Sequence, residues 1–201
     1  GGGGWGGAGA CGVGGARARG GLPLPLGQGL GKARGVPGVG LAPPTVGAVM
    51  EGPWRLSNEH VADLQTAVNW TRQQWPLAQT WVLGLNSGAL SAAVATASID
   101  DLAGAVLLSC VDEALDQVQK SERMRVLAVR HRSDRCASYA TLAHTRGRKT
   151  LVTVHDEREM RQDVVNGGDA LNAPQFNGKE HQVVDVVARW ILTGAAPDEI
   201  R

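Results

Sequence analysis

The sequence predicts an α/β protein built around a mainly parallel β-sheet. Four short runs are predominantly apolar, at residues 81–85, 105–109, 125–129 and 150–154. A strand covered on both faces has such an apolar run in place of an alternating pattern, as in parallel sheets flanked by helices. Segments with helical spacing separate the four runs, and strands alternating with helices are typical of parallel crossover connections.

The first predicted helix begins after Ser57, whose hydroxyl can cap its amino end. Its apolar positions recur at helical spacing and comprise Val61, Leu64, Ala67 and Val68. The helix should end near Trp75, because Pro76 disfavours a helical backbone in the residue before it.

The later segments alternate in the order that this fold class requires. The run at 81–85 predicts a buried strand, which a turn at Asn86-Ser87-Gly88 follows. Small residues from Ala89 to Ala97 suit a helix packed closely on a sheet. The last predicted helix carries an apolar stripe of Val183, Val184, Val187 and Ile191, with Trp190 beside it.

The composition changes sharply along the chain. Residues 1–50 contain 19 of the 28 glycines, 5 of the 9 prolines and no acidic residue. Dense glycine costs backbone entropy on folding and offers no side chains to bury, so we expect a flexible N-terminal segment. The predicted organisation is this segment at 1–50, an α/β domain at 51–194 and a C-terminal tail at 195–201.

The chain-wide composition argues against two classes of partner, nucleic acids and membranes. The formal net charge of +1 over 201 residues gives no general attraction to nucleic acid or to an anionic membrane. No apolar run approaches the roughly 18 residues of a membrane-spanning helix, and no secretory leader is visible. The compartment therefore stays open, with the cytoplasm favoured.

Because the chain begins at Gly1 without a methionine, we expect a fragment or a processed product.

We expect neither a cofactor nor a metal ion. The three cysteines, Cys11, Cys110 and Cys136, are too few for a disulfide framework. Cys110 closes a predicted buried strand, which favours a small core residue over a reactive thiol. The charged run His155-Asp156-Glu157 is interpreted as a loop after a strand rather than as an ion site.

One strand-turn-helix segment carries chemical information. Gly84-Leu85-Asn86-Ser87-Gly88 has the G-x-S-x-G spacing of a nucleophile elbow, whose sharp turn lifts the central side chain above the sheet. Later, His131-Arg132-Ser133-Asp134-Arg135-Cys136 follows an H-x-x-D-x-C pattern, and Pro174-Gln175-Phe176-Asn177-Gly178-Lys179-Glu180 is close to H-G-F-x-G-x-E. With these motifs in this order, residues 52–193 resemble a serine esterase- or peptidase-like branch of the α/β-hydrolase superfamily.

The resemblance implies a three-layer α/β-hydrolase-like sheet, mainly parallel, with its N-terminal half truncated or replaced. It also implies a catalytic triad with the nucleophile at Asn86, the acid at Asp134 and the histidine at Pro174. A carboxamide cannot be activated by a histidine base, and proline has no proton to shuttle. We therefore expect a protein that resembles hydrolases of ester or peptide bonds but is catalytically impaired.

Three alternatives stay open. A displaced triad would use Ser87, His155 and Asp134 at the carboxyl ends of parallel strands, although the residue after an elbow nucleophile usually supplies only its backbone N–H. A non-catalytic binding or scaffold module would use the vacated pocket near Asn86, Asp134 and His155, with an ester- or peptide-like small molecule as its ligand. A decayed reading frame without a stable fold is the third, because half a sheet leaves an exposed edge. The oligomeric state is left open.

Overall fold

Five parallel strands form a sheet in the computed structural model, which describes residues 39, 52–110, 112–121, 123–134, 139, 142, 148–155, 176 and 178–201. The strands are β1 (Trp81–Leu85), β2 (Gly104–Leu108), β3 (Arg125–His131), β4 (Lys149–Val154) and β5 (Glu199–Ile200). They lie side by side in chain order, and every neighbouring pair is parallel. The predicted α/β class and parallel sheet are confirmed.

In the described part, two helices precede β1, and one helix separates β1 from β2, β2 from β3 and β4 from β5. They are α1 (Gly52–Arg55), α2 (Asn58–Gln74), α3 (Ser87–Ser98), α4 (Asp112–Gln119) and α5 (Glu180–Thr193). Ser57 caps α2 as predicted, because its Oγ accepts a hydrogen bond from the His60 N–H at 3.2 Å. Trp75 ends α2 at the position that the following proline predicts.

The apolar runs locate the strands to within two residues. β1 coincides with its run, whereas β2 and β4 each begin one residue earlier and β3 continues to His131. Ser109 belongs to the second run but leaves the strand with a φ of 44°. An apolar pattern predicts that residues are buried, not which backbone conformation they have. Ser109 is buried but is not extended, so the pattern alone could not place it outside the strand.

Alternate residues of the central strands point to opposite sides of the sheet, and each side has its own core. Ala105, Leu107, Val126 and Ala128 pack with α3 and α4. The residues between them, including Val106, Leu108, Leu127 and Val129, pack with α5. The sheet therefore lies between two helical layers. The small residues of α3 pack on the sheet from Ala89 to Ala95, with Ala89, Ala93 and Ala95 fully inaccessible to solvent, whereas Ala97 is exposed.

The outer strands of the described sheet are β1 and β5. β1 pairs only with β2 among the described residues, and its Leu83 is 37% exposed, in line with the expected open edge. β5 arises from the segment expected to be a tail, where Ile200 is buried and pairs with Val154 of β4. Two residues are too few to produce a recognisable strand pattern.

Residues 1–38 and 40–51, which include nearly all of the expected flexible segment, lie outside the described residues. Within the described residues, no helix combines the length and the apolar character that crossing a membrane requires.

Candidate active site

The turn between β1 and α3 has a sparsely populated backbone conformation. Asn86 has a φ of 51° and a ψ of −121°, although residues with a side chain rarely adopt positive φ. Its N–H donates to the Leu108 carbonyl at 2.9 Å, and its carbonyl accepts from the Ala89 N–H at 2.9 Å. These two bonds fix the turn to β2 on one side and to α3 on the other. Such conformations persist only where the surroundings impose them, and they concentrate at functional sites.

Gly84 allows α3 to pack directly on β1. A Cβ added to Gly84 would lie 2.5 Å from the Ala89 nitrogen and even closer to the Gly88 carbonyl. A Cβ added to Gly88 would meet nothing within 4 Å. The two glycines of the predicted motif therefore have different roles, because the close approach requires the missing side chain of Gly84 alone.

The Asn86 side chain stands at the N-cap position of α3 without acting as a cap. It makes no capping hydrogen bond, and within the described residues its buried Oδ1 has no donor. Ser87 is the first residue of α3 and is partly buried. This agrees with its interpretation as a first-turn helix residue.

Asp134 lies just beyond β3 with its carboxyl group buried. Its N–H donates to the His131 carbonyl at 3.0 Å, which turns the chain back at the strand end. Tyr139 places its hydroxyl 3.1 Å from Asp134 Oδ2 and 3.2 Å from the Cys110 carbonyl oxygen. A hydroxyl has one proton, and a charged acceptor forms the stronger hydrogen bond, so donation to Asp134 is favoured.

Sequence reasoning missed Tyr139, although the chain contains no other tyrosine. The available signal was that Tyr139 follows Asp134 by five residues. A buried phenol needs a hydrogen-bond partner, and the nearby carboxylate could have been proposed as that partner. Burial is the main cause that raises the pKa of Tyr139, and the nearby Cys110 and Asp134 add to the effect. The phenol therefore acts as a neutral donor.

Cys110 lies two residues after the end of β2 and is fully buried. Its Sγ is 3.5 Å from the Tyr139 hydroxyl, and burial raises the pKa of the thiol to about 12. A thiol that stays protonated is a poor nucleophile. The interpretation of Cys110 as a small core residue is confirmed.

His155 follows β4 directly, with its backbone N–H bonded to the Ile200 carbonyl at 2.8 Å. Its Nε2 is 3.5 Å from Glu199 Oε1, while Arg201 Nη2 contacts the other oxygen of Glu199 at 2.7 Å. The hydrogen bond from Arg201 is the main cause that lowers the pKa of Glu199. Among the described residues, the carboxylate beside His155 is thus that of Glu199, from the segment expected to be a tail.

The strand order separates the members of the displaced triad. β2 and β3 lie between β1 and β4, and strands are about 4.8 Å apart, so the ends of β1 and β4 are roughly 14 Å apart. Ser87 is two residues after the end of β1, and His155 directly follows β4. Neither residue is therefore on a loop long enough to close this distance. The structure thus brings Asn86, Asp134 and His155 to one edge of the sheet but gives Ser87 and His155 no direct contact.

A second serine–histidine pair lies away from this edge, between helices. His60 Nε2 is 2.8 Å from Ser91 Oγ, which also accepts a hydrogen bond from Arg55 Nη1 at 2.6 Å, and all three residues are buried. Burial lowers the pKa of His60 and the charge of Arg55 lowers it further, against a smaller opposing effect of Asp63. A buried histidine with a lowered pKa is a weak base, so we interpret the cluster as a link between α1, α2 and α3.

Some predicted positions lie outside the described residues. They are Pro174 at the histidine position, Cys136, and the acidic residues that follow His155. Among the described residues, no group of three or more histidine, cysteine or acidic side chains is arranged to hold a metal ion. No protein-family model matches this sequence, and no curated protein matches it either.

Proposed function

We propose that this protein is a serine-hydrolase-like protein of the α/β-hydrolase type that has lost the chemistry of its triad. The observation that carries the proposal is the backbone of Asn86, with φ 51° and ψ −121°, between a parallel strand and a closely packed helix. A sharp, strained strand-to-helix turn is the feature that presents a nucleophile in this class. In this chain the turn has that strained shape, but the side chain at its centre is the carboxamide of Asn86.

Two further observations support the proposal. The five strands are parallel and lie in chain order, so that Asn86 and Asp134 share the carboxyl edge where open α/β sheets hold their sites. Asp134 is buried and hydrogen-bonded by Tyr139, as an orienting acid would need to be. An ester- or peptide-like small molecule would bind at this edge without being cleaved, because Asn86 cannot form an acyl intermediate.

A reversion experiment tests the proposal. The double variant Asn86→Ser with Pro174→His should gain hydrolysis of an activated ester and react with a fluorophosphonate at position 86. Adding Asp134→Asn should reduce that gain, since the acid orients the histidine. The single variant Asn86→Ser is the matched control and should stay nearly inactive. A folded double variant that shows neither turnover nor labelling would contradict the assignment.

The displaced triad is tested on the unaltered protein. Treatment with a fluorophosphonate, followed by peptide mapping, should give no adduct at Ser87, because His155 is too far away to activate it. An adduct at Ser87 that Ser87→Ala abolishes would instead show an enzyme with a shifted nucleophile.

A further inference from the structure

We propose that Asn86 is a self-modification site, at which the folded backbone promotes cyclisation to a succinimide and deamidation. The proposal rests on the conformation of one residue and its neighbour, and it holds whether or not the protein descends from hydrolases. It concerns the bond between Asn86 and Ser87, at the start of α3.

The backbone of Asn86 already has the geometry of the cyclic intermediate. About the Cα–C bond of an L-residue, Cβ is offset from the backbone nitrogen by about 120°. A ψ of −121° therefore brings the Ser87 nitrogen nearly into line with Cβ of Asn86. Regular helix and strand values of ψ would leave the two atoms roughly 80° and 100° apart about the same bond. A five-membered ring that contains Cβ, Cγ and the Ser87 nitrogen requires the aligned arrangement.

The groups that react are also free to do so. The Asn86 carboxamide makes no capping bond, and its Oδ1 has no donor within the described residues, so no such bond has to break. Ser87 is the first residue of α3, and the N–H groups of a first helical turn have no acceptor within the helix. The positive end of the helix dipole stabilises the nitrogen anion that attacks.

The reaction needs only water. The deprotonated Ser87 nitrogen attacks Cγ of Asn86, the new C–N bond closes the ring, and the side-chain nitrogen leaves as ammonia. Water then opens the ring at either carbonyl carbon. Opening at the backbone carbonyl gives isoaspartate, and opening at Cγ gives aspartate.

The two products have different consequences for the fold. Aspartate leaves the main chain unchanged and puts a carboxylate at an N-cap position, where a negative charge is favourable. Isoaspartate inserts a methylene group into the main chain between β1 and α3. Since Gly84 and α3 are already in close contact, this insertion should loosen the turn.

The test compares the folded chain with the same chain unfolded in urea, both aged in the same mildly alkaline buffer. Peptide mapping by mass spectrometry reports conversion at each asparagine separately, including Asn166 and Asn177, which precede glycines. We expect Asn86 to convert about tenfold faster in the folded chain, because the ring geometry is preorganised. Asn58 and Asn69, which belong to α2, should convert more slowly when folded than when unfolded.

Two controls identify the cause. The rate at Asn86 should rise with pH, because the Ser87 nitrogen must lose its proton. Asn86→Gln lengthens the side chain by one methylene and should abolish conversion at position 86, since a larger ring would be needed. A folded chain in which Asn86 converts no faster than in the unfolded chain would overturn the proposal.

Discussion

The close approach of β1 and α3 leads to a sharp prediction about two glycines four residues apart. In Gly84→Ala, the added Cβ would lie 2.5 Å from the Ala89 nitrogen. Carbon contacts are most favourable at about 3.5–4.0 Å, so α3 would have to move away from β1 by about 1 Å. The clashing atoms belong to the backbone, and no side-chain rotation can relieve the overlap. We expect a loss of about 3 kcal/mol in the free energy of unfolding, at the upper end for overpacking.

Gly88→Ala is the matched control, because it adds the same methyl group four residues later, in α3 rather than in β1. Its Cβ would meet nothing within 4 Å, and alanine in a helix is favoured over glycine by about 1 kcal/mol. The two variants should therefore differ by about 4 kcal/mol, or roughly 8–16 °C in Tm for a chain of this size. Urea unfolding and thermal melts of both variants measure the difference. Equal stability of the two would refute the inferred packing of Gly84 against α3.

The buried polar groups give two further predictions. Tyr139→Phe removes a hydrogen-bond donor from the buried Asp134 carboxylate and should lower the free energy of unfolding by about 2 kcal/mol. Urea unfolding measures the change. An unchanged urea midpoint would mean that the hydroxyl does not stabilise Asp134. Burial and the charge of Arg55 lower the pKa of His60 in the folded state, so His60 binds a proton more readily in the unfolded chain. The free energy of unfolding should therefore fall as the pH drops below about 6.5, the ordinary pKa of histidine. His60→Gln should flatten the dependence of Tm on pH over this range, and a variant with the same slope as the unaltered protein would exclude His60 as the cause.

Much of the fold could be predicted because it depends on local patterns. The four apolar runs predict β1 to β4, and the pair Trp75-Pro76 predicts the end of α2. β5 was missed, since its two residues become a strand only by pairing with β4. The site was predicted less completely. The motif locates Asn86 and Asp134 at strand ends, but Tyr139 and Glu199 become neighbours of Asp134 and His155 only when the chain folds.

The sequence by itself determined the α/β class, the positions of four of its strands and the presence of Asn86 in the turn after β1. These follow from residue types and periodicities that each segment carries independently of the others. Only the tertiary structure decided that Gly84 rather than Gly88 needs to lack a side chain, that Asn86 has a ψ of −121°, and that His155 lies beside Glu199. These facts depend on how β1 packs on α3 and how β4 pairs with β5. Such contacts join residues whose separate patterns contain no information about their distance in space.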